Sequence, residues 1–62
     1  MMDNYQFAIE ELSLSGEISL GKCSERTVCR WAKEINARLT RESYSWRVKA
    51  DAKTRIIQAV PA

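Results

Sequence analysis

The sequence predicts a small α+β domain, two helices followed by a β-hairpin, on three observations. Val28, Trp31, Ala32, Ile35 and Leu39 recur at the i, i+3, i+4, i+7 spacing of a helix with one buried face. Tyr44-Ser-Trp-Arg-Val-Lys49 then alternates apolar and polar residues at period two, as a half-buried strand does. Asp51-Ala-Lys-Thr54 supplies turn chemistry before a second β-rich run, residues 55–60, which Pro61 closes. The alternative is an all-α chain in which residues 48–59 form a helix, because Ala50-Asp-Ala-Lys has good helix propensity. The alternation of Tyr44, Trp46 and Val48 against Ser45, Arg47 and Lys49 favours the hairpin.

Taken in order, Asp3 followed by Gln6 reads as a helix start, with Asp3 as N-cap. Tyr5, Ala8, Ile9 and Leu12 repeat at helical spacing over residues 4–14, and the Ser13-Leu-Ser-Gly16 cluster ends the run. Residues 16–21 read equally as one helical turn or as a short strand, and either reading buries Ile18 and Leu20. Gly21 is expected to take a positive φ at a turn. Ser24 is the natural N-cap of the main helix, 24–41, with Glu25 suited to the positive end. The hairpin is expected to lay Tyr44, Trp46 and Val48 on Trp31, Ile35 and Leu39, in one core holding both tryptophans.

Sixty-two residues make one domain, 1–62, that must build a compact core to fold alone. Cys23 and Cys29 would lie at one end of a helix facing apart, so no disulfide is expected. With no histidine, no zinc site and no cofactor are expected either. Met1-Met-Asp-Asn is not basic and no long apolar run follows it, so neither a secretory leader nor a membrane span is expected. Two unpaired thiols suit a reducing, cytoplasmic setting.

Charge is unevenly spread. Residues 1–21 hold Asp3, Glu10, Glu11 and Glu17 and no lysine or arginine. Residues 22–62 hold all 10 basic residues against Glu25, Glu34, Glu42 and Asp51. On the main helix, Arg26, Arg30, Lys33, Ala37 and Arg41 fall opposite the apolar stripe, while Glu25, Glu34 and Glu42 lie on the flanks. Such a helix docks by its back and offers its front to a polyanion.

Leu20-Gly-Lys-Cys-Ser-Glu-Arg-Thr-Val-Cys-Arg-Trp31 resembles the turn and recognition helix of helix-turn-helix proteins. Ser24, Thr27, Val28, Arg30 and Trp31 match the common pattern in place. With two strands after the helix, the chain is similar to small winged helix-turn-helix proteins of the phage excisionase-like type. The specific likeness covers residues 20–31. In that family a glycine stands two residues before the serine, whereas Gly21 stands three before Ser24. The supporting helix would be residues 4–14, through a longer connection.

The resemblance implies sequence-specific binding to double-stranded DNA, as a transcriptional regulator or a recombination directionality factor, with the 24–41 helix in the major groove. Arg26 and Arg30, one turn apart, would fork onto guanine O6 and N7. Lys33 and the hydroxyls of Ser24 and Thr27 would reach phosphates. Arg47 and Lys49 would point away from the core, and Lys53 would stand with Arg55 near the tip of the wing. One copy buries little surface, so a homodimer or cooperative neighbours are expected to raise affinity. Phe7, Leu14 and Ile57 have no place in the one-core reading and are candidates for self-association.

Two rival classes bound this reading. A domain with one acidic and one basic end also suits a modulator of a host protein, since helix-turn-helix scaffolds serve protein contacts too. Catalysis is not expected: the chain has no histidine, no Gly-rich phosphate loop and no base beside either cysteine.

Overall fold

The computed structural model describes residues 3–61; Met1, Met2 and Ala62, at the ends of the expected domain, lie outside them. The chain is α+β, in the order α1 (Asn4–Ser15), β1 (Glu17–Ser19), α2 (Glu25–Arg41), β2 (Trp46–Asp51) and β3 (Ile56–Pro61). The last strand lies in the middle of an antiparallel sheet ordered β1-β3-β2. Both helices pack on one face of that sheet, and a single buried cluster joins Ala8, Ile9 and Leu12 to Val28, Ala32, Ile35, Leu39, Val48 and Ile57. This architecture is compatible with a helix-turn-helix carrying a C-terminal wing. The helices are not joined by a tight turn, however, because β1 occupies the connection.

Local chemistry sets each boundary. The Asp3 carboxylate accepts the Gln6 N–H at 2.9 Å and caps α1. At the other end Gly16, at φ 83°, lets the chain leave the helix while its N–H still reaches the Leu12 carbonyl at 2.9 Å. The left-handed glycine is therefore Gly16 and not Gly21, which was expected to hold the positive φ. The reversal needed to enter β1 comes at the helix end, and the later turn at Gly21 is made without it.

The 16–21 segment, readable as turn or strand, is a strand. Ile18 faces Ile57 across the β1–β3 ladder. Two further bonds extend that pairing at either end, Leu20 N–H to the Arg55 carbonyl at 2.7 Å and Ala59 N–H to the Gly16 carbonyl at 2.8 Å. Residues 46–61 form the expected hairpin, not the alternative helix at 48–59, with Val48 opposite Ala59 and Asp51 opposite Ile56. Asp51 turns the tip by accepting the N–H groups of Lys53 and Thr54 at 3.0 and 3.3 Å. Arg55 completes the turn at φ 59°.

β3 ends at Pro61, and the proline is itself the last residue of the strand. Its nitrogen has the parity of Ala59, whose N–H points towards β1, and β1 begins only at Glu17, so no ladder bond is lost there.

Two packing expectations are corrected. Trp31 does not meet the hairpin aromatics: its ring lies against Tyr5 of α1, with centroids 4.7 Å apart, while Trp46 meets Tyr44 edge to face at 5.7 Å. Trp31 lies on the side of α2 that turns towards α1, so it closes the helix–helix seam. Ile57, offered as a self-association residue, is fully buried at the centre of the middle strand. Phe7 and Leu14 do remain exposed, at 57% and 85%.

The free edge of β2 is covered by a side chain. Asn36 of α2 donates its amide N–H to the Val48 carbonyl at 3.0 Å and accepts the Val48 N–H at 2.8 Å. One carboxamide thus does the work of a neighbouring strand at that residue. Asn36→Ala leaves both backbone groups unpaired beside the core and is expected to lower unfolding free energy by about 1–3 kcal/mol. Urea denaturation measures the loss, and Asn36→Asp, which keeps only the acceptor, should show destabilisation as well.

Candidate nucleic-acid interface

The outer face of α2 is the most basic surface the fold leaves open. Burial of Val28, Ala32, Ile35 and Leu39 against the sheet turns the opposite line outward, and Arg26, Arg30, Lys33, Ala37 and Arg41 are all exposed. At 1.5 Å per residue, Arg26 and Lys33 stand about 10 Å apart along the axis, with Arg30 between them.

Glu34 is drawn off this line by a specific contact. The Glu34 carboxylate accepts from Arg38 Nε at 3.2 Å, on the α1 side of the helix. Arg38 also grips Asp3 through both terminal nitrogens, at 3.1 and 2.8 Å, and its guanidinium lies 5.1 Å from the Tyr5 ring centre. Arg38 is therefore a clamp between the helices. Its bond to Asp3, with that of the Gln6 N–H, holds the Asp3 carboxyl below its ordinary value. The same carboxylate, with Glu34, raises the affinity of Arg38 for its proton.

A pH effect follows. Asp3 titrates lower folded than unfolded, so its contribution is complete above the ordinary carboxylate value of 3.8 and fades as pH falls through the depressed one. Asp3→Asn keeps a capping oxygen but not the charge. It should lower the thermal midpoint at pH 7, and the difference from wild type should shrink as pH falls below 3.8 and the wild-type carboxyl takes up its proton.

The N-terminal end of α2 gathers further polar groups. Ser24 Oγ accepts the Thr27 N–H at 3.2 Å and lies 3.0 Å from Thr27 Oγ1. Only one hydroxyl proton is used in that mutual contact, so the other can donate outward. Because β2 runs back along α2, the hairpin tip returns to this end, where the Leu20–Arg55 bond pins it to the turn before Ser24. Lys53 and Arg55 of the tip and Lys22 of the turn thus join Ser24, Arg26 and Thr27 at one end of the domain. Lys22 and Arg55 carried little weight in the sequence reading; only the β1–β3 pairing reveals their position.

The fold does not bring Arg47 and Lys49 to this group. They stand opposite Val60 and Gln58, on the sheet face away from the helices. Arg47 is further held by its own backbone, its Nη1 donating to the carbonyls of Tyr44 and Trp46 at 2.6 and 2.7 Å. The basic line of α2 faces out of the opposite layer of the domain, so a duplex lying along α2 faces away from both.

Cys23 and Cys29 are free thiols. Among the described residues no cluster of three or more His, Cys, Asp or Glu side chains is placed to hold a metal ion. No helix among them is long and apolar enough to cross a membrane. Comparison with protein-family models, with curated proteins and with solved structures gives no match.

Proposed function

We propose that the protein binds double-stranded DNA through the N-terminal half of α2, as a phage-type transcriptional regulator or a recombination directionality factor. The observation that carries this reading is the exposed, acid-free line Arg26–Arg30–Lys33, whose neighbouring acid Glu34 is held aside by Arg38. Arg26 and Arg30 read guanine edges in the major groove. Lys33 and the Ser24–Thr27 pair contact phosphates, and the N–H groups of the first turn add to them. Lys53, with Lys22 and Arg55, places the hairpin tip on the backbone beside the groove. A homodimer or cooperative neighbours supply the affinity that one small module lacks.

Selection from a pool of random duplex DNA tests this. The purified protein should enrich a short motif containing guanine. Four cations set on phosphates, Lys22, Lys33, Lys53 and Arg55, predict that log K falls with log salt at a slope of about −3.6. A folded protein that binds no duplex at low salt would overturn the reading.

A further inference from the structure

The outer face of α1 belongs to neither the core nor the DNA-binding surface, and its chemistry is specific. Phe7 and Leu14 lie seven residues apart, so they share one face of the helix, about 10 Å apart along its axis. Burial of Ala8, Ile9 and Leu12 against the sheet turns that face to solvent. Glu10 and Glu11 flank the apolar pair, one on each side, and both are exposed. Glu11 bends towards the C-terminal end of α1, accepting from the Ser15 hydroxyl at 2.6 Å. No lysine or arginine occurs before Lys22, so no cation on α1 offsets these carboxylates.

We propose that this face docks a protein partner through an amphipathic helix whose apolar stripe is bordered by lysine or arginine. The apolar centre requires an apolar counterpart, and the acidic borders select a basic rim. The same borders repel the two polyanions such a face could otherwise meet, nucleic acid and an anionic lipid surface. A second copy fits less well. Antiparallel α1–α1 pairing places glutamate against glutamate, and the basic line of α2 offers only Cys29 and Ala37 as small neighbours for Phe7 and Leu14. The Phe7–Leu14 stripe lies on α1 and the Arg26–Arg30 line on α2, so the two share no residue. The proposal does not depend on the DNA reading.

Two labelled helical peptides serve as probes, identical in a leucine stripe and differing in lysine or glutamate borders. By fluorescence anisotropy the full chain should bind the lysine peptide saturably and the glutamate peptide at least tenfold more weakly. Phe7→Ser/Leu14→Ser and, separately, Glu10→Lys/Glu11→Lys should each weaken the lysine peptide at least tenfold. Both pairs are exposed, and circular dichroism checks that the fold persists. Arg26→Glu/Arg30→Glu should leave peptide binding unchanged, which separates this result from any failure to bind DNA. Three results would overturn the proposal: equal binding of both peptides, binding that survives both double variants, or no binding. It would also be overturned by a wild-type dimer that Phe7→Ser/Leu14→Ser dissociates, or by vesicles of anionic lipid captured through the same two residues.

Discussion

Arg26→Glu combined with Arg30→Glu is expected to eliminate duplex binding while leaving the protein folded. Each bidentate arginine–guanine contact contributes about 1–3 kcal/mol of discrimination. Loss of two therefore weakens specific binding by about 30-fold to 10⁴-fold, at a tenfold change per 1.4 kcal/mol. Two carboxylates facing the phosphates add repulsion at low salt. Neither arginine is buried or takes part in an ion pair among the described residues, so thermal unfolding should change little. Lys49→Glu is the matched control. It also reverses a charge, but from the far side of the sheet, and should leave affinity nearly unchanged. Equal losses from Lys49→Glu and from the α2 variant, measured by titration of the selected duplex, would mean that net charge and not the α2 face governs binding.

Ile57→Ala is expected to remove about half of the folding stability of the chain. Its side chain is 0% exposed, on the middle strand and beneath both helices. Truncating a buried isoleucine costs about 2–5 kcal/mol. A chain of this length has about 3–9 kcal/mol in all. Ile57→Val, which removes one methylene, should cost only about 0.5–1.5 kcal/mol and keep the cooperative transition. Circular dichroism melts of the two variants give the comparison. A wild-type-like melt for Ile57→Ala would mean that the sheet does not close on the helices at this point.

Ile57 also shows where the sequence stopped being informative. The stripe on α2 was legible because one helix repeats the same demand at Val28, Ala32, Ile35 and Leu39. The N-caps at Asp3 and Ser24 were legible because their oxygens act within three residues. The importance of Ile57 comes from β1 crossing to pair with β3, a contact between residues about forty apart that no local pattern encodes. The same crossing decides that Lys22 and Arg55 sit beside Ser24. Arg38 illustrates a different loss. Its bond to Glu34 follows from i, i+4 order, whereas its grip on Asp3 depends on how α1 lies across α2. The pairing of Trp31 with Tyr5 was missed for the same reason. Period-two alternation in the hairpin foretold which way Arg47 and Lys49 point. That this direction is opposite to the basic line became visible only with both layers in place.

The carboxamide of Asn36 has a consequence for recognition itself. A cylinder packed on a sheet by aliphatic side chains can roll, because such contacts hold little directional information. Asn36 fastens α2 to a fixed point on β2 by two directed bonds, 12 residues away along the chain. Shifting that attachment by a single position would turn the helix by about 100° and swing Arg26 and Arg30 off the outward line. The residue therefore acts as an angular index for whatever α2 reads. An Asn36→Ala protein that still folds should bind DNA with blurred sequence preference before it loses affinity.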